Sequence, residues 1–158
     1  LLAKLIRLLR GGRHVSLLMD RMAAPRAKDS GSPSKASWIC SEEAVVYAYD
    51  MDALCGFTFT VDGFIGLIQL MTDTYDKKGW QVKKASLPVH FASGAEDICL
   101  INENHFKASV DFMKKVGYQN VTSKLYGGLR HEILNERDKE LVFQDLLAIL
   151  NSMNETAK

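Results

Sequence analysis

The amino-acid sequence predicts an α/β fold in which helices lead into a last β-α-β-α unit with parallel strands. Three observations predict it. The apolar run Leu87-Pro88-Val89-His90-Phe91-Ala92 ends abruptly at Ser93-Gly94-Ala95-Glu96-Asp97. A second run, at 121–126, ends at Gly127-Gly128. Between them Phe106, Val110, Met113 and Val116 repeat at the three-to-four spacing of one helix face. Two short strands joined by a helix lie parallel. In open α/β sheets sites form at the carboxyl ends of the strands. Asp97 follows the first strand and His131 the second, so this topology brings an acid and a histidine to the same end.

Each element has a local reason. Leu1, Leu2, Leu5, Ile6, Leu8 and Leu9 alternate with Lys4, Arg7 and Arg10 at helical spacing, and Gly11-Gly12 stops the helix. So short a basic helix is expected to pack on its own protein, its cationic side chains snorkelling at the edge, rather than to lie in a lipid surface. Residues 15–22 form a second short helix with Leu17, Leu18 and Met22. Residues 25–35, rich in Ala, Ser, Gly, Pro and Lys, read as a loop. Trp38 follows, and then Ser41 is placed to cap a helix that buries Val45, Val46 and Tyr49 and ends at 50–52.

Phe64, Ile65, Leu67, Ile68 and Met71 mark a longer helix after Thr60, apolar enough to be covered on both sides and closed by Lys77-Lys78-Gly79. The first 86 residues are therefore expected to hold helices and loops only. Beyond Asp97, Asn102 or Asn104 caps the crossover helix and Gly117 closes it. Asn135 with Asp138 resembles a capping box. The last helix should bury Leu141, Val142, Leu146, Leu147 and Leu150, with a polar tail from 151.

Composition bounds the function. A chain of 158 residues, 47% hydrophobic, suits one domain with a real core. Its formal charge of +1 gives no reason to expect nucleic acid as a partner. The three cysteines, Cys40, Cys55 and Cys99, form no C-x-x-C pair and read as thiols in a reducing compartment, which points to the cytoplasm. No apolar run is long enough to span a bilayer, so no transmembrane segment is expected. Leu rather than Met comes first and no leader pattern follows, so the chain reads as a piece of something longer.

The residues from Leu87 to Asp97, then Gly117-Tyr118, then Leu125-Tyr126-Gly-Gly-Leu-Arg-His131-Glu-Ile-Leu-Asn-Glu136 resemble the C-terminal half of the α/β-hydrolases related to monoacylglycerol lipase and lysophospholipase. The stretch from Trp38 to Thr60, with Asp52-Ala-Leu-Cys-Gly-Phe-Thr-Phe-Thr60, is similar to the cap of the bacterial lysophospholipase-like members. The resemblance implies a partial α/β-hydrolase fold, with residues 1–61 as helical cap and 62–158 as the C-terminal part of the core. It implies that Asp97 and His131 are the acid and base of a Ser-His-Asp triad, in the chain order of that fold. The substrate implied is a small-molecule ester or lipid, cleaved through an acyl-serine with no cofactor and no metal.

One part is missing. No Gly-x-Ser-x-Gly occurs in the 158 residues, and in the family the nucleophile elbow and the earlier oxyanion loop precede the cap. The expected fragment therefore carries acid, base and lid without the nucleophile, and should not turn over substrate by itself. The alternative is a non-catalytic binding or assembly module that kept the fold. A weaker rival is another acyl-transfer chemistry, peptidase or thioesterase. The 87–92 strand should also have a bare edge, to be paired by the missing N-terminal half or by a second copy.

Neighbouring residues read more plainly. His131-Glu132 is no H-E-x-x-H zinc motif, because Asn135 holds the second histidine's place. His90 should pack or meet a neighbour within its strand. Cys99 could flank the pocket, and Glu96 and Arg130 are expected in solvent or in ion pairs.

Overall fold

A computed structural model of the chain describes residues 1–23 and 34–156. In chain order its main elements are α1 (Leu2–Arg10), α2 (Leu17–Ala23), α3 (Glu43–Met51), α4 (Val61–Thr74), β1 (Val89–Gly94), α5 (Glu103–Val116), β2 (Val121–Tyr126) and α6 (Lys139–Thr156). They form two units, Leu1–Pro25 with Ala53–Gln81, and Arg26–Asp52 with Val82–Lys158. The units interleave along the chain. Segment 34–52 goes with the strands because the turn after β2 binds its backbone: Arg130 donates to the carbonyls of Ser37 and Cys40, and Glu132 N–H to that of Ile39. The loop expected at 25–35 lies largely outside the described residues.

In the first unit α1 packs on α4. Gly11, at φ 82°, takes a backbone conformation that favours glycine, and its N–H closes α1 on Arg7 O. The chain then returns alongside Thr60, where Val15 makes an isolated antiparallel bridge, a pairing in a region expected to hold only helices and loops. Thr60 caps α4 by accepting from Gly63 N at 3.2 Å. Ala3, Met19, Val61 and Phe64 form the core, with Ile6 and Ile65 against it. That contact uses one narrow stripe of each helix. Among the described residues, Leu5, Leu8 and Leu9 on α1, and Leu67, Ile68 and Met71 on α4, are exposed.

In the second unit β1 and β2 pair in parallel, from Val89↔Val121 to Gly94↔Tyr126. β2 spans the expected 121–126 run. β1 starts two residues later than expected, since Pro88 has no N–H to offer a ladder and the first bond is Val89 N to Asn120 O at 2.9 Å. It also runs on through Ser93 and Gly94. A side chain at 94 would collide with backbone, its Cβ falling 2.1 Å from Arg130 O and 2.2 Å from Leu129 O. Glycine alone lets the end of β1 press against the turn that carries His131.

Asn102 caps α5 through its side chain, which accepts from His105 N at 3.1 Å, and Gly117 at φ 126° ends it. Val110 is buried, and Phe106 meets Phe91 of β1 edge-on at 6.4 Å. Among the described residues of α6, Val142 alone is fully buried, against Tyr126 and Leu129, with Leu146 beside it. Leu141, Leu147 and Leu150, expected in the core, are exposed, and the helix runs on through the expected tail to Thr156.

Two expected caps do not form. Asn135 donates to Glu132 instead, and α6 begins only at Lys139. Glu42, not Ser41, is the N-cap residue of α3, because the Ser41 hydroxyl is committed elsewhere.

Candidate active site

The loops that follow β1 and β2 are stitched together before any functional side chain is considered. Ala95 N donates to Tyr126 O at 2.8 Å and Glu96 N to Leu129 O at 2.9 Å. With Gly94 closing against the same turn, the two loops have little freedom to separate. Asp97 therefore has a fixed place at the carboxyl end of the sheet. It is 8% exposed, and it caps a single 3-10 turn (Ile98–Leu100) by accepting from Cys99 N at Oδ1, 2.8 Å away. Its other oxygen, Oδ2, lies 2.9 Å from His131 Nδ1. The structure thus brings together the two residues that the sequence singled out.

The geometry fixes what the imidazole can do. A carboxylate accepts, so Nδ1 carries the ring proton and Nε2 holds the lone pair. His131 keeps 43% of its side chain exposed while Asp97 keeps 6%. A buried, oriented acid behind a partly open base is the arrangement that lets Nε2 take a proton from a hydroxyl.

The third side of the histidine is aromatic. Trp38 lies over the His131 ring, centroids 5.0 Å apart and planes tilted by 52°. Its loop is anchored from the β2 side. The Arg130 guanidinium donates to Ser37 O at 2.5 Å and Cys40 O at 3.0 Å. Beneath it Glu136, 1% exposed, accepts from Ser41 N at 3.1 Å, from Arg130 N at 2.8 Å and from the Ser41 hydroxyl. Burial alone would raise this carboxyl, but the Ser41 hydroxyl and the backbone N–H groups of Arg130 and Ser41 outweigh it and hold the group below its ordinary range. Cys40, fully buried, donates its thiol to Asn135 O, and burial pushes that thiol up.

Sequence reasoning missed this network. Arg130 was expected in solvent or in an ion pair, and instead its guanidinium serves two carbonyls. Glu136 is one acid among many until the fold sets Ser41, 95 residues upstream, against it. Its position within Arg130-His131-Glu-Ile-Leu-Asn-Glu136 was the available signal. His90 behaves as expected, its Nδ1 meeting Thr122 Oγ1 at 2.8 Å across the strand pair. Cys99 does flank the dyad. Its side chain reaches solvent, yet the surrounding protein, the Asp97 charge and a hydrogen bond to that carboxylate push the thiol up to about 11. An open cleft lined by Phe106, Val110 and Leu125 sits on the α5–β2 face and includes neither Asp97 nor His131.

Close to the dyad the backbone is strained. Ile101 adopts φ 65°, ψ −55°, with Asn102 N bonded to Leu100 O at 2.7 Å, a γ-turn centred on a β-branched residue.

In fold the chain is similar to a highly thermostable carboxyl esterase from Bacillus coagulans, solved in complex with glycerol, with a TM-score of 0.79, 20% identity, 96% of this chain covered and 50% of that one. It is also similar to a soluble variant of monoglyceride lipase from Saccharomyces cerevisiae, solved with a substrate analog, with a TM-score of 0.55, 19% identity, 94% of this chain covered and 51% of that one. The chain thus spans about half the length of these structures. No curated protein matches it. The profile of the family described as serine aminopeptidase, S33, matches residues 2–138. The chain therefore belongs to the S33 serine aminopeptidase family of hydrolases and holds part of an α/β-hydrolase fold.

Proposed function

We propose that this chain carries the acid and the base of a serine hydrolase that cleaves carboxylic esters, of the monoacylglycerol lipase or lysophospholipase kind. The observation that carries the reading is the 2.9 Å contact between His131 Nδ1 and the buried Asp97 carboxylate, at the carboxyl ends of two parallel strands. His131 takes the proton of a serine hydroxyl through Nε2 and returns it to the leaving alcohol. Asp97 holds the tautomer and stabilises the imidazolium. The serine itself, with its oxyanion donors, comes from residues outside this chain, since no Gly-x-Ser-x-Gly is among the 158.

Residues 1–61 are assigned to the cap and 62–158 to the core, and the exposed leucines of α1 suit contact with an acyl chain. The three cysteines are free thiols, which supports a cytoplasmic setting. Among the described residues no helix is long and apolar enough to cross a membrane. Among the described residues β1 pairs only with β2, and its second edge is assigned to a strand from the N-terminal half or from a second copy.

Kinetics on the longer protein that includes a nucleophile elbow tests the reading. Monoglycerides, lysophospholipids and short p-nitrophenyl esters should be hydrolysed, and Asp97→Asn or His131→Ala should lower kcat by roughly 10⁴-fold. Turnover of aminoacyl p-nitroanilides in place of esters would move the function to the peptidase chemistry in the family's name. Ester turnover untouched by both variants would leave the binding-module alternative. The 158-residue chain alone should hydrolyse these esters no faster than its own His131→Ala variant.

A further inference from the structure

Cys99 touches the dyad, and the proposed hydrolysis has no use for its thiol. Its thiol sulfur, a carboxylate oxygen of Asp97 and a ring nitrogen of His131 all lie within 4.8 Å of one another. The carboxylate is buried, whereas the thiol and the imidazole are exposed, so the cluster opens on solvent. We propose that Asp97, Cys99 and His131 form an inhibitory zinc site that captures the catalytic dyad.

The donor set favours zinc over harder cations. Sulfur, imidazole nitrogen and one carboxylate oxygen are what a tetrahedral Zn²⁺ accepts, whereas Mg²⁺ and Ca²⁺ take oxygen shells. Zinc–ligand bonds of about 2.0–2.3 Å set neighbouring donors roughly 3.2–3.6 Å apart. The Cys99 sulfur starts within 4.8 Å of the other two donors and has to close to that range on binding, while the Asp97–His131 pair, 2.9 Å apart, is nearly there already. The backbone is prepared too, because Cys99 N holds Asp97 Oδ1 at 2.8 Å and leaves Oδ2 for the metal. The Asp97 charge disfavours a bare thiolate and favours a divalent cation for the same reason. On binding, the thiol loses its proton to solvent and the sulfur bonds to zinc. A water completes the fourth position.

The consequence for the base follows from proton placement. Zinc on Nδ1 displaces the ring proton to Nε2, which then has no lone pair for a serine hydroxyl. Zinc on Nε2 occupies that lone pair outright. Either way general-base catalysis stops. The inhibition rests on the hydrolase reading; the metal site does not.

Zinc titration of the 158-residue chain against a chromophoric chelator tests the site without any activity measurement. One equivalent should bind with micromolar or tighter affinity. Cobalt should add a near-ultraviolet thiolate charge-transfer band and visible absorption of tetrahedral type. Cys99→Ser should abolish the band and weaken zinc by more than roughly 100-fold, since losing even an outer partner of a ligand costs about 10–100-fold. Cys55→Ser should change neither. Failure to bind one equivalent, or equal affinity in Cys99→Ser, would overturn the proposal. In the longer protein, zinc should inhibit ester turnover reversibly by chelator, with Cys99→Ser active and resistant. Turnover that persists with the site loaded would overturn the inhibitory role.

Discussion

Replacing Glu136 by Gln is the sharpest single perturbation this structure offers. Glutamine keeps the shape of the side chain, so packing is nearly constant and the charge is what changes. The carboxylate is 1% exposed and receives N–H groups from Ser41 at 3.1 Å and Arg130 at 2.8 Å, together with the Ser41 hydroxyl. Glutamine offers one oxygen to these donors and turns an NH₂ toward the rest. One charge-assisted bond worth about 1.5–3 kcal/mol is lost, and a buried donor left facing a donor costs about 1–3 kcal/mol. Relief from burying a charge offsets part of this, leaving a net loss of about 2–4 kcal/mol. In a chain of this size that corresponds to a fall in Tm of roughly 5–15 °C. Urea unfolding followed by far-ultraviolet circular dichroism measures it.

The pH dependence carries a sign. The folded carboxyl is held below its ordinary value of 4.5, so its contribution is complete above that value and disappears as pH falls through the lowered one. The gap between wild type and Glu136→Gln should therefore be wide near neutrality and close in acid. A loss below about 0.5 kcal/mol, or a gap that grows with acidity, would refute the reasoning.

Other perturbations probe the surroundings of the dyad. Gly94→Ala sets a methyl 2.1 Å from Arg130 O, so β1 and the His131 turn must part; a loss of about 3 kcal/mol or more in urea unfolding is expected. Ile101→Gly relieves a left-handed backbone at a side chain that is 73% exposed, and should raise stability by about 1 kcal/mol. Iodoacetamide should alkylate Cys99 about 100-fold more slowly at pH 8 than a thiol at the ordinary 9.0, because its own value is about 11, and peptide mapping reads the rate. Light scattering of the chain at low micromolar concentration should show association through the open edge of β1, and a cooperatively melting monomer would count against that reading.

Where the chain's own neighbours decide the structure, the sequence could be read directly. β2, the Asn102 cap, the Gly117 stop and the meeting of Asp97 with His131 each depend on residues within one strand, one helix end or one crossover. What was illegible depends on partners far along the chain. Ser41 looks like a helix cap until Glu136 takes its hydroxyl, and Arg130 looks solvent-bound until Ser37 and Cys40 turn their carbonyls to it. Burial on α4 and α6 was overestimated for a related reason. An apolar stripe records which face seeks cover, and Leu67, Ile68, Leu147 and Leu150 find none among the described residues.

The indole resting on His131 makes the base optically addressable. The chain has two tryptophans, and the other, Trp80, donates its indole N–H to Thr74 O at 2.8 Å. In a Trp80→Phe background all indole emission would come from 5.0 Å above the imidazole. A protonated imidazole quenches a neighbouring excited indole far better than a neutral one. Intensity followed against pH would then titrate His131 in place, without substrate and without a label. The same signal, read while ligands are added, would report when a molecule settles against the histidine and how long it stays.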